Sequence, residues 1–490
     1  MRKSGILMHI TSLPGPYGIG SMGKRAYEFV DFLSGAGQSY WQILPLSPTG
    51  YGDSPYQSFS TFAGNHYLID LDLLIKEGLL QQEEVDAVCW SEDEGRVDYG
   101  CLYENRRKIL YLAYERFTAD ETFEKFIASN ADWLEDYALF MTLKEKFHGK
   151  HWQRWSISLM LRFPEILASY REELAQSIRF HYFLQYKFFQ QWKALRSYAN
   201  QKGIRIIGDV PIYVPLDSAD VWANPQLFQL DSVGRPKLVA GCPPDSFTAD
   251  GQLWGNPLYD WDKMKETGFA WWIRRLAAAA QMYDVVRLDH FRGFESYWAV
   301  PAGDKTAIGG SWKQGPGSDF IRAIQKALPG LDFIAEDLGY VTKEVRQLQE
   351  ESGYPGMKVL QFAFDSRESS DYLPHTYPVN SVCYSGTHDN LTMVQWFQEA
   401  APEDVTMAKA YLGLNEEEGL IQGIIRGCMG SVSKLCVIQM QDYLELGAFA
   451  RMNFPGTLSA DNWTWRADEG FATDTLKERI YEITRRYGRL

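Results

Sequence analysis

Val285-Val286-Arg287-Leu288-Asp289-His290 is a short run, apolar but for one arginine, that stops on a carboxylate. A stretch this brief with adjacent β-branched residues fits a strand covered on both faces, as in a parallel sheet wrapped by helices. Similar runs recur at residues 5–10, 41–46, 204–212, 333–338, 357–362, 381–388 and 435–441, which makes eight in all. Eight is the strand number of a (β/α)8 TIM barrel. Segments 24–35, 268–281, 318–328 and 342–352, between or beside these runs, carry helical spacing. The expected fold is therefore α/β, a (β/α)8 barrel.

About 160 residues separate the second run from the third, where one βα unit needs roughly 30. Segments 102–117, 133–147 and 165–200 are rich in Leu, Glu, Lys and aromatic residues, the composition of helices. The barrel is thus assigned to residues 1–63 and 201–490, with a mainly helical insertion over 64–200. Residues 213–262, dense in Gly, Pro, Asn and Asp, read as a long loop excursion. Ordered loops of that length at a barrel mouth usually shape the site. Little chain follows the eighth run, and no C-terminal β-domain is expected.

The formal net charge of −14 repels phosphate backbones and anionic lipid, so neither nucleic acid nor membrane is an expected partner. No stretch approaches the roughly 20 apolar residues of a membrane helix, and the N-terminus lacks the apolar core of a signal peptide. Cysteines at 89, 101, 242, 383, 428 and 436 form no C-x-x-C pair; they fit thiols in a reducing compartment, and the cytoplasm is the expected location. The 16 Trp and 28 Tyr residues can fill a large core, and some can offer flat faces to sugar rings.

Three acids stand where expected strands run out: Asp289, Glu336 after Phe333-Ile334-Ala335, and Asp389 after Gly386-Thr387-His388. Barrel enzymes place their chemistry at the C-terminal ends of strands, so all three can meet at one mouth. One such acid alone is as readily a helix cap or a loop-ordering acceptor. Three together suit glycosyl chemistry with retention, which needs an ionised nucleophile and a protonated acid about 5–5.5 Å apart. Arg287, two residues before Asp289, lies on the same side of its strand and can keep that carboxylate ionised. Glu336 has no basic neighbour in sequence, and apolar surroundings would raise its pKa as an acid requires. Asp337 would point the other way, and Asp389 would accept hydrogen bonds from sugar hydroxyls.

Arg287-Leu288-Asp289-His290-Phe291-Arg292-Gly293, Ala335-Glu336-Asp337-Leu338-Gly339 and Thr387-His388-Asp389-Asn390 resemble the motifs of the 4-α-glucanotransferases, the amylomaltases or disproportionating enzymes of glycoside hydrolase family 77 in the α-amylase clan. Gly208-Asp209-Val210-Pro211-Ile212-Tyr213 resembles the clan's first conserved segment. Leu13-Pro14-Gly15-Pro16-Tyr17-Gly18-Ile19-Gly20, Gly50-Tyr51-Gly52-Asp53-Ser54-Pro55-Tyr56-Gln57-Ser58 and Gly255-Asn256-Pro257-Leu258-Tyr259 match the family too. The resemblance implies Asp289 as nucleophile, Glu336 as acid/base and Asp389 as transition-state stabiliser. It implies sugar contacts at Arg287, His388, Asp209, Tyr56, His290 and Asn256. The segment from Gly241 to Trp254, with Asp245 and Phe247, resembles the family's lid over the acceptor subsites, and Tyr51 and Tyr99 match a second glucan-binding groove. His290, where α-amylases have a small residue, favours the transferase family. The implied substrates are α-1,4-glucan donors and acceptors, maltodextrins and glucose among them, with no cofactor, no metal and no obligatory protein partner.

Hydrolysis would use the same carboxylates and differ only in whether water or a sugar hydroxyl takes the second step. A lid bearing Phe247 and Trp254 would exclude water and favour transfer. A catalytically silent glycan-binding scaffold would need the aromatic residues but not this set of acids. A nucleotide-dependent transferase has little support, for want of a phosphate loop.

Overall fold

The computed structural model describes residues 2–50, 52–244, 248–367 and 370–490. Eight parallel strands close a barrel: β1 (Lys3–Leu7), β2 (Tyr40–Gln42), β3 (Arg205–Val210), β4 (Val285–Leu288), β5 (Asp332–Ala335), β6 (Gly356–Val359), β7 (Ser381–Tyr384) and β8 (Leu435–Gln439). Each pairs with its sequence neighbours, and β1 closes the ring on β8 through Lys3 to Leu7 against Leu435 to Gln439. Burial of both strand faces explains the apolar runs: all four residues of β4 are buried, Arg287 included.

Every strand is shorter at its C-terminal end than the sequence pattern suggests. Apolar residues continue past the last ladder bond because the chain turns straight into short 3-10 segments, Ile10–Ser12, Phe291–Phe294 and Leu360–Ala363, that remain buried under the rim. Burial persists where pairing stops, so hydrophobicity alone overruns the strand end.

Helices lie between most of the strands outside the barrel; between β6 and β7 the described residues hold only the 3-10 segments Leu360–Ala363 and Pro374–Thr376. Lys24–Gly35 turns Ala26, Phe29, Val30 and Leu33 inward, the three-and-four spacing of one helical face. Among the described residues between β2 and β3 lie only helical elements and loops, ending in Ala175–Gln201, which leads into β3. The sequence reads 165–200 as one helix, but Pro164–Glu173 and Ala175–Gln201 are separate. The break is Leu174 at φ −109°, ψ 18°, and no glycine or proline marks it.

The excursion 213–262 carries more regular structure than its composition suggests. Leu238–Cys242 and Gln252–Pro257 join Ser296–Pro301 and Ser311–Gln314 in an antiparallel sheet of four strands. Gly18-Ile19-Gly20-Ser21-Met22-Gly23, between β1 and the first long helix, has the glycine spacing of a dinucleotide loop. A carboxylate already fills it: a Cβ on Gly23 would stand 1.9 Å from Asp70 Oδ2, and Ser21 Oγ donates to that oxygen at 2.6 Å.

Two residues beyond β1, His9 is buried, and its Nδ1 accepts the Leu44 N–H at 3.2 Å. Burial, with His388 nearby, pushes its pKa down to about 3; burial does the same to His66. Unfolded histidine titrates near 6.5, so the unfolded chain binds protons that the folded one refuses between those values. Stability is therefore lost as pH falls below about 6.5, by up to about 1.4 kcal/mol per pH unit for each group. Calorimetry at pH 7, 6 and 5 should show a falling melting temperature, with a shallower decline in His9→Asn. An equally steep decline in that variant would remove His9 from the account.

Candidate active site

The ends of β3, β4 and β5 bring the acids together. Asp209 is the penultimate residue of β3 and faces Arg287 of β4 across the ladder. Arg287 Nη1 donates to Asp209 Oδ1 and Oδ2 at 2.9 and 2.7 Å and to Asp289 Oδ1 at 2.9 Å. Arg287 is therefore shared, and Asp209, the more buried partner, takes two of its contacts. The sequence pattern suggests a simple Arg287–Asp289 pair because Asp209 lies 78 residues away.

Asp289 directly follows β4. The next residue, His290, is left-handed at φ 50°, ψ 50°, a conformation that costs a non-glycine residue roughly 1 kcal/mol or more. That turn lets the His290 N–H donate to Glu336 Oε2 at 2.7 Å, while Phe291 N–H reaches the Glu336 carbonyl at 2.9 Å. Glu336 follows β5, and its second carboxylate oxygen accepts the Leu338 N–H at 2.8 Å. The two carboxyl groups therefore share one rim, tied through the residue after Asp289. Asp337 turns away to accept the Met357 N–H at 2.7 Å and so clasps β6.

Burial raises the pKa of both Asp289 and Glu336. Arg287 opposes the rise at each; Asp209, Glu336 and Asp389 add to it at Asp289, and the two backbone N–H groups oppose it at Glu336. Glu336 thus has polar donors that its sequence neighbours do not reveal. Asp209, Asp289 and Glu336 surround the Arg287 guanidinium and Asp389 adds its repulsion at Asp289, so the pair Asp289/Glu336 retains a proton more readily than isolated acids would.

Asp389 arrives differently. β7 ends at Tyr384, and Asp389 stands five residues later on a loop rather than at a strand end. A distant segment holds it: Asn453 Nδ2 donates to Asp389 Oδ1 at 2.6 Å and Arg451 Nη2 to its carbonyl at 2.9 Å. His388 Nε2 lies 3.4 Å from Asp389 Oδ2. Burial lowers the His388 pKa, with Asp389 opposing. Its ring stacks on Tyr56 at 5.1 Å and 15°, and Tyr56 Oη donates to Asp209 Oδ2 at 2.7 Å. Trp463 lies beside both rings, 5.8 Å from Tyr56 and 6.0 Å from His388. Asn453, Arg451 and Trp463 are the residues that the sequence reading missed.

Trp254 and buried Asn256 belong to the strand Gln252–Pro257, and the Trp254 ring meets His290 edge-on at 4.8 Å. Asp245, Phe247 and Tyr51 lie outside the described residues. Tyr99 donates its hydroxyl to the Trp463 carbonyl at 3.2 Å, which ties it to the loop beneath Tyr56 and His388. Among the described residues, no group of three or more His, Cys, Asp or Glu side chains is arranged to hold a metal ion.

Paired acids at the C-terminal rim of a closed parallel barrel, beside a buried arginine, define the class of barrel enzymes that work on glycosidic bonds. The family profile described as 4-alpha-glucanotransferase, glycoside hydrolase family 77, matches residues 8–472. A 4-alpha-glucanotransferase of Clostridium butyricum is 49% identical over 486 residues, 98% of this chain and 100% of its own. One from Thermus thermophilus is 48% identical over 478 residues, 95% of this chain and 94% of its own. An amylomaltase from Streptococcus agalactiae, solved in complex with acarbose, superposes with a TM-score of 0.97 at 43% identity, covering all of both chains. The chain belongs to glycoside hydrolase family 77 and is a 4-α-glucanotransferase. Among its described residues no helix is long and apolar enough to cross a membrane.

Proposed function

We propose that this enzyme disproportionates maltodextrins through a covalent glycosyl intermediate on Asp289, with Glu336 as acid and then base. Asp289 Oδ1 is held by Arg287, which leaves Oδ2 to attack the anomeric carbon of a bound α-1,4-glucan. As the C1–O bond breaks, Glu336 gives its proton to the departing 4-oxygen. The 4-hydroxyl of a second glucan then takes that place, Glu336 removes its proton, and the new C1–O bond displaces Asp289. Two inversions restore the α configuration. Asp389, steadied by Asn453 and Arg451, accepts hydrogen bonds from ring hydroxyls as charge develops at C1. Arg287, Asp209, Tyr56 and His388 line the donor sugar, and His290, Trp254 and Asn256 lie toward the acceptor. The excursion 213–262, with Asp245 and Phe247, acts as a lid that keeps water from the intermediate.

The observation that supports this reading is the His290 N–H donated to Glu336, which ties that carboxylate to the residue after Asp289. The donors and acceptors are α-1,4-glucans, free glucose included among the acceptors, and the chemistry asks for no cofactor. Buried, unpaired thiols at Cys383, Cys428 and Cys436 suit a cytoplasmic protein. Purified enzyme given maltotriose should yield glucose together with maltotetraose and longer chains, with the total of reducing ends constant. Release of glucose and maltose with rising reducing ends would replace transfer by hydrolysis.

A further inference from the structure

We infer that Trp312 and Tyr340 form a stacking platform for glucose units of a long acceptor, beyond the sugar that receives the transferred chain. The inference builds on the proposed acid/base role of Glu336. Tyr340 lies four residues after Glu336, on a loop whose start is pinned by the Leu338 N–H and turned at Gly339, φ 80°. Glu336 protonates the departing oxygen, so this loop borders the leaving-group and acceptor side.

Both rings stand unusually open. Among the described residues Trp312 is the most open tryptophan, at 38%, and Tyr340 is 71% exposed. Single exposed apolar residues are ordinary, but two adjacent aromatic rings left in water form a patch of the kind that marks a contact site. The rings are also fixed. Arg292, three residues after Asp289 and 4% exposed, places its guanidinium carbon 3.9 Å from the Trp312 ring centroid and 5.9 Å from that of Tyr340. The same guanidinium donates to the Tyr340 carbonyl and, at 3.0 Å, to Ser296 Oγ. Trp298 supports Trp312 edge-on at 5.1 Å and is itself anchored by donating Nε1–H to the Ala307 carbonyl at 2.8 Å.

One buried cation thus backs both rings, which ties their orientation to the turn that follows the nucleophile. Rings already held in place lose little freedom when a ligand stacks on them. The C–H-rich face of a pyranose is the neutral, flat partner that such rings fit, and continuity with the active-site rim makes an α-glucan the occupant. Trp254 and Trp312 occupy the two outer strands of the four-stranded sheet. Direct pairing puts Trp312, Trp298, Gly241 and Leu253 on one face of that sheet and Trp254 on the other, so a glucose acceptor beside Trp254 and His290 ends short of Trp312 and only a longer maltodextrin reaches it.

With α-glucosyl fluoride as fixed donor, the ratio of kcat/KM for maltoheptaose to that for glucose as acceptor should fall roughly tenfold in the Trp312→Ala/Tyr340→Ala double variant. Trp312→Phe and Tyr340→Phe keep a flat face and should hold the ratio within about twofold of wild type. In an Asp289→Asn background, calorimetric titration with maltoheptaose should show a Kd raised by roughly the same factor when both rings are removed. An unchanged ratio together with an unchanged Kd overturns the platform. Failure of the wild type to transfer to any acceptor would instead overturn the proposed function, while the titration would still decide the platform.

Discussion

Asp289→Asn is expected to lower kcat by on the order of 10⁴-fold or more, because without an ionised oxygen no glycosyl ester forms and transfer has no first step. The loss should be chemical rather than structural. Arg287 keeps its two contacts to Asp209 in the variant, so no buried cation is stranded. The raised pKa of Asp289 means that the fold disfavours its charge, and a neutral amide relieves repulsion among four clustered acids. The melting temperature at pH 7 should therefore equal or exceed that of wild type, the usual exchange of stability for function at an active site. Asp289→Ala sharpens the test. With an α-glucosyl fluoride donor, which needs no proton to leave, added azide can enter the vacated space and attack C1 from the face opposite the fluoride. The product should be the β-glucosyl azide, identified by NMR. An α-azide, or wild-type turnover in Asp289→Asn, would mean that another group is the nucleophile.

Much of this site was legible because its chemistry is local. The strand β4 and the acid after it form one unbroken string, and a buried apolar run ending in Asp289 states both the fold and the rim position. Glu336 was legible for the same reason. What sequence pattern obscures is anything set by distant pairing. Asn453 holds Asp389 across 64 positions, and nothing around either residue reports it. Asp209 competes for Arg287 because β3 happens to lie beside β4, which is knowable only once the barrel closes. The left-handed turn at His290 has no glycine to announce it; its energy is met by the hydrogen bonds that it allows to Glu336. The antiparallel sheet beside the mouth was hidden because two of its strands, Leu238–Cys242 and Gln252–Pro257, lie in the Gly- and Pro-rich stretch 213–262, which composition reads as loop. Its two outer strands lie 54 positions apart, measured from the end of Gln252–Pro257 to the start of Ser311–Gln314.

Glu336→Gln should separate the two halves of the reaction by their need for a proton. With maltotriose as donor, kcat should fall by about 10²–10⁴-fold, the usual contribution of a positioned acid. With α-glucosyl fluoride the first step needs no acid, so formation of the intermediate should survive and the acceptor step should become limiting. Azide, a nucleophile that needs no base, should then accelerate turnover of Glu336→Ala by attacking the intermediate from the face opposite Asp289. The product should be the α-glucosyl azide, the opposite anomer to that from Asp289→Ala. The pH profile gives a second reading. Burial raises the pKa of Glu336 against Arg287 and two backbone donors, so wild-type kcat/KM for maltotriose should decline on the alkaline side as that carboxyl loses its proton. Glutamine cannot titrate, and the residual activity of Glu336→Gln should lack this alkaline limb. If the limb persists, or if fluoride and maltotriose lose activity equally, the proton comes from elsewhere. The hydrogen bond from His290 would then serve only to brace the rim.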